Sequence, residues 1–182
     1  PATAAAATAA AEAAPAASDG GDRGAPVSRP APAGVVRSAP APVAPARFTV
    51  VAMVAGSSLW VEELDEEPLA REQVMLVRAM ARACAWASEP PAVQRFAWPL
   101  YDNPQLDRGA GAAAAALVAF LNRLAGEGGC AQLLLLGTAA AARLANTSPA
   151  LPTLELPSTR ELLAEPLRKR DAWALLKTRC AR

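Results

Sequence analysis

Phe48-Thr49-Val50-Val51-Ala52-Met53-Val54-Ala55-Gly56 is the stretch on which the fold turns. It is a nearly continuous apolar run, rich in β-branched residues and closed by a glycine, as expected of a strand buried on both faces. Such strands lie in sheets covered by helices on each side, so this run points to an α/β domain.

Beyond the run, Gly56-Ser57-Ser58 reads as the turn leaving the strand. The acidic segment 62–67 with Pro68 then reads as the first turn of a helix, where anions favour the helix dipole. Leu69, Val74, Leu76, Val77, Met80, Ala83 and Cys84 recur at near-helical spacing to about Trp86. Pro90-Pro91 breaks the chain, and residues 93–98 are expected as a second strand. A helix over 111–124 comes next, with Ala113, Leu117, Phe120, Leu121 and Leu124 as its apolar stripe. Residues 130–136 make another continuously apolar strand, and Thr138 is expected to cap a helix over 139–144. Residues 151–156 form a last short strand. Pro157-Ser158 turns into a C-terminal helix from Thr159 that Pro166 must kink or split. This alternation predicts a three-layer α/β/α domain over residues 47–182, around a central, largely parallel four-stranded sheet.

Residues 1–46 differ in kind. Alanine and proline dominate, the few charges balance, and large apolar residues are almost absent, so a disordered or semi-stiff tether is expected there. The sequence opens on Pro1, which suggests a start inside a longer protein.

Composition excludes several chemistries. The chain of 182 residues has no histidine, so a Ser-His-Asp or Cys-His centre and any imidazole metal site are ruled out. Cys84, Cys130 and Cys180 lie about fifty residues apart without a CxxC pair, matching neither a disulfide framework nor a zinc or iron–sulfur ligand set. They are expected to be unpaired, buried thiols in a reducing cytoplasm. A net charge of +1 argues against a general grip on a nucleic-acid backbone. No stretch has the roughly eighteen consecutive apolar residues of a membrane span, and no cofactor or metal is expected.

Four features could carry chemistry. Gly56 sits where α/β proteins bind phosphates, yet Ala55-Gly56-Ser57-Ser58-Leu59-Trp60 has one glycine and no lysine, so a plain turn is the better reading. The carboxylates among residues 62–67 could hold a divalent metal or act as acid and base, but acidic helix starts are usually solvated. Gly137 and the small residues after it could bind a ligand or serve close helix–sheet packing. The C-terminal segment is basic, with Arg160, Arg168, Lys169 and Arg170 as candidate contacts to a partner or phosphate.

Three stretches together resemble the uracil-DNA glycosylase superfamily. The run from Val50 to Gly56 is similar to its first strand and motif-one turn. Leu133-Leu134-Leu135-Leu136-Gly137-Thr138-Ala139-Ala140-Ala141-Ala142-Arg143-Leu144 is similar to its "LG..A...L" segment, and the chain from Leu154 to Trp173 to its "HP..LL..P..K...W..L" end. The resemblance implies a glycosylase-like fold, but both catalytic motifs are degenerate. Gly56, Ser57 and Ser58 stand where glycosylases place a group that handles the attacking water. Leu156, before Pro157 and Ser158, stands where they place a histidine that stabilises the departing base.

The chain also resembles a non-catalytic branch of that superfamily, the psi subunits of bacterial DNA polymerase III. That resemblance implies an adaptor rather than an enzyme, with clamp-loader subunits and the chi subunit as partners and at most weak or indirect contact with DNA. In that family a peptide ahead of the domain binds the clamp loader, and here an Ala/Pro-rich stretch occupies that position. The alternatives are a divergent glycosylase-like repair enzyme using Ser57, Ser58 or a carboxylate of the acidic run, and a DNA-binding relic using Arg168, Lys169 and Arg170.

Overall fold

The computed structural model describes residues 46–65, 67–87, 89–101, 103 and 105–180. The tether expected over residues 1–46 lies outside them except for Ala46, whose N–H donates to the Arg108 carbonyl at 3.2 Å. In chain order the elements are β1 (Phe48–Ala55), β2 (Ser58–Leu64), α1 (Arg71–Ala83), β3 (Ala92–Trp98) and α2 (Ala110–Glu127). They continue with β4 (Gln132–Leu136), α3 (Gly137–Leu144), β5 (Thr153–Leu156), α4 (Thr159–Ala164) and α5 (Arg168–Cys180).

The first strand forms where the apolar run requires it. The segment after it departs from expectation, because Gly56-Ser57 is the two-residue loop of a hairpin that pairs Ala55 with Ser58. Gly56 has a φ of +56°, and a Cβ there would stand 1.8 Å from the Trp86 carbonyl oxygen. Glycine alone fits both demands. Leu59-Trp60-Val61 is thus a buried strand rather than a linker, and Glu62 and Glu63 belong to β2 instead of a helix start. The first helix begins only at Arg71.

The sheet order is β3-β1-β2-β4-β5. β1 is antiparallel to both β2 and β3, whereas β2–β4 and β4–β5 are parallel. Four strands therefore share one direction and β1 runs against them. This mixed, five-stranded sheet replaces the expected four-stranded, largely parallel one. A two-residue loop can only return the chain antiparallel, whereas a parallel neighbour needs a long crossover.

Strand alternation sends side chains into two cores. On one face Val50, Ala52, Leu59, Val61, Leu133 and Leu135 pack with Leu117, Leu121 and Leu124 of α2 and Ala140 and Leu144 of α3. On the other, Val51, Met53, Trp60, Leu134 and Leu136 pack with Val77 and Ala81 of α1, Leu162 of α4, and Ala172 and Leu176 of α5. The protein is a mixed α/β fold with helices on both faces of its sheet. Each fully buried Leu, Val or Met contributes about 1.5–3 kcal/mol.

Two local features also differ from the sequence expectation. Thr138 lies inside α3, whose N-cap is Leu136, so it caps nothing. Cys84 and Cys180 are joined by a disulfide, with their Cα atoms 4.9 Å apart and a separation of 96 positions in sequence. Spacing along the chain hid this pair because α1 and α5 end side by side on the same core. Cys130 is a buried free thiol. Pro166 does split the C-terminal helix, into α4 and α5. No helix among the described residues is long and apolar enough to cross a membrane.

Candidate functional site

In sheets with parallel strands, ligands usually bind beyond the carboxyl ends of those strands. Here that end collects the last residues of β2, β4 and β5, with Leu136 level with both Glu62 and Leu156. The β4–α3 junction at Gly137 and the turn Leu156-Pro157-Ser158 meet there beside a shallow cleft of about 280 Å³, lined also by Thr138, Glu155, Glu161 and Arg168. Gly137 has a φ of +82°, and a Cβ on it would lie 3.1 Å from Cβ of Ser158, so its small size serves close packing.

Beneath this cleft is a buried polar network. Trp60, Glu62 and Leu64 share one face of β2, and Glu62 is 3% exposed. Its Oε1 accepts the Thr159 N–H at 2.8 Å, and its Oε2 accepts the Thr159 hydroxyl at 2.6 Å. The same Thr159 oxygen accepts from Gln73 Nε2 at 2.6 Å. Gln73 Oε1 in turn accepts the Ala70 N–H at 2.8 Å, closing the start of α1. One carboxylate thereby ties β2, α1 and α4 together. Burial raises the Glu62 pKa above its ordinary value, opposed by the Thr159 hydrogen bonds and the nearby Arg160 charge.

The hydroxyls of Ser158 and Thr159 are engaged within the fold. Thr159 donates to Glu62, and Ser158 Oγ donates to Glu161 Oε2 at 3.1 Å while accepting the Glu161 N–H at 3.2 Å. Glu161 also accepts the Ser158 N–H at 2.9 Å, completing a reciprocal cap, and that bond leads the causes that lower its pKa. Leu156 is buried among the apolar residues of the α1–α5 face and offers no donor to a ligand. The arrangement orients a helix and binds elements together.

The Gly56-Ser57-Ser58 turn is elsewhere. Ser58 is level with Gln132, at the opposite end of β4 from Leu136, so the strands hold the Ser58 and Leu156 levels about 13 Å apart. The two turns do not form one site. Ser58 is fully buried, with its hydroxyl donating to the Ala55 carbonyl at 2.7 Å and accepting Trp60 Nε1 at 2.8 Å. The Ser57 N–H donates to the Trp86 carbonyl, whose backbone closes over Gly56.

Glu66 lies outside the described residues, and the described carboxylates of the acidic run do not converge on one point. Glu62 points to Thr159, whereas Glu63 lies on the other face in a two-bond pair with Arg143 at 2.8 and 2.9 Å. Asp65 and Glu67 each pair with Arg160 at 3.2 Å. Of the basic candidates, Arg160 is thus engaged, and Arg168 is held by Glu165 at 2.8 Å and Glu161 at 3.2 Å. Lys169 and Arg170 are exposed and make no ion pair among the described residues. The Glu62–Thr159–Gln73 network is absent from the sequence expectations. Its signal was Gln73 in register with the inward Val77 and Ala81, a polar residue on an apolar face.

Compared with protein-family models, with curated proteins and with solved structures, the chain matches none.

Proposed function

We propose that this chain is a non-catalytic adaptor of the bacterial replisome, similar to the psi subunit of DNA polymerase III, which bridges the clamp loader and the chi subunit. The observation that carries this reading is the fate of the two motif turns. Excising a base requires a group that orients the nucleophile and a donor to the leaving base, both acting at one sugar. Here the turns stand at opposite ends of the sheet. Ser58, Ser158 and Thr159 spend their hydroxyls on internal bonds. An α/β body whose two motif turns lie apart suits a protein that acts by holding others. In this reading the Ala/Pro-rich stretch before residue 46 is the tether, raising the effective concentration of linked, individually weak contacts.

Affinity capture with the full chain as bait tests the proposal, using clamp-loader and chi subunits encoded in the same genome. Retention of either subunit supports the adaptor. Retention of neither, or release of free uracil from uracil-containing DNA above background, overturns it in favour of a divergent repair enzyme.

A further inference from the structure

We infer that the outward side of the α4–α5 elbow is a docking surface for an acidic, amphipathic segment of another protein. This surface rests on the adaptor reading and names the chemistry of one of its partners. Ala172 and Leu176 turn inward to the core, so helical geometry places Arg170, Ala174 and Lys177 together on the solvent side of α5. Leu167, at the elbow just before α5, is 85% exposed, the highest value among the large apolar residues described. Leu175 is exposed at 44%, on a flank of the same helix.

Charge decides the occupant. Between Leu167 and Cys180 the chain carries Arg168, Lys169, Arg170, Lys177 and Arg179 against Asp171 alone. Arg168 is neutralised by Glu161 and Glu165, and Arg179 donates to the Thr153 carbonyl at 3.1 Å. Lys169, Arg170 and Lys177 are left facing solvent without an anionic partner among the described residues, Lys177 lying 5.8 Å over the Trp173 ring. Cations beside the exposed Leu167 match carboxylates beside an apolar side chain. A nucleic-acid backbone would satisfy the cations but leave Leu167 in water. The same mixture therefore favours an acidic protein segment over DNA.

The test uses the full chain and a fluorescent amphipathic peptide of about eighteen residues, with leucines at helical spacing and glutamates elsewhere. Anisotropy titrations are run beside a lysine–leucine peptide of the same pattern and a single-stranded oligonucleotide. Binding of the acidic peptide alone, weakened about tenfold or more in R170E/K177E and in L167S, supports the surface. All three positions are exposed, and unchanged thermal unfolding of the variants shows that the fold survives. Absence of acidic-peptide binding, equal binding by the variants, or tighter binding of the oligonucleotide overturns it. Capture of chi or clamp-loader subunits by R170E/K177E as strongly as by the parent chain overturns this surface and leaves the adaptor standing. Capture of neither by the parent chain, with the peptide still bound, removes the adaptor and leaves the surface.

Discussion

The carboxylate of Glu62 accepts both the backbone N–H and the hydroxyl of Thr159, 97 residues further along the chain. This is how the carboxyl end of the sheet is closed. Glu62→Ala leaves two buried donors without an acceptor and is expected to cost about 2–4 kcal/mol in urea unfolding. Glu62→Gln keeps an acceptor for the N–H and is expected to cost about 1 kcal/mol. Equal losses in the two variants would contradict the network.

The same residue sets a pH dependence. Burial raises the Glu62 pKa in the folded protein above its ordinary 4.5, so the unfolded chain ionises first as pH rises. The stability that Glu62 contributes is fully present below that value and is lost as pH rises through the folded pKa. Glu161 acts in the opposite sense: its lowered pKa makes its contribution present above 4.5 and lost as pH falls. Glu62→Gln removes only the first dependence. Its deficit relative to the parent chain is expected to shrink between about pH 4 and pH 7 in paired urea titrations. A deficit that widens over that range would show the carboxylate to be favoured in the fold.

The Gly56-Ser57 loop leaves no room for a side chain at its first position. Gly56→Ala combines a positive φ with a clash against the Trp86 carbonyl and is expected to destabilise by more than about 2 kcal/mol. Thermal unfolding measures it. A neutral substitution would mean that β1 and β2 are not joined by this hairpin.

The Cys84–Cys180 bond links residues 96 apart in sequence and fastens the end of α5 to the end of α1. Reducing it, or replacing Cys84 with serine, is expected to lower unfolding stability by about 2–4 kcal/mol. Urea titrations with and without a phosphine reductant measure the difference. A C84S variant that responds to reductant as the parent chain does would assign the effect elsewhere.

Much of the fold was legible where side chains announce it. The apolar runs at β1 and β4, the stripe of α2 and the break at Pro166 all stand where the residues placed them. β2 was not legible, because Glu62 and Glu63 look like a solvated helix start until their partners Thr159 and Arg143 are in place. Local preference named the wrong element, and long-range hydrogen bonds decided it. The reversed direction of β1 went unread for the same reason, since an unrecognised hairpin reads as a crossover. Of the candidate site, the apolar Leu156 ahead of Pro157 could be read directly. That Gly56 and Leu156 lie at opposite ends of the sheet could not, because it depends on strand direction rather than residue type.

The adaptor reading stands or falls on calorimetric titration of purified chi subunit and purified clamp loader, each into the full chain. Saturable binding to at least one of them is expected, with both held in a single complex when all are mixed. Heat indistinguishable from dilution in both titrations would contradict it.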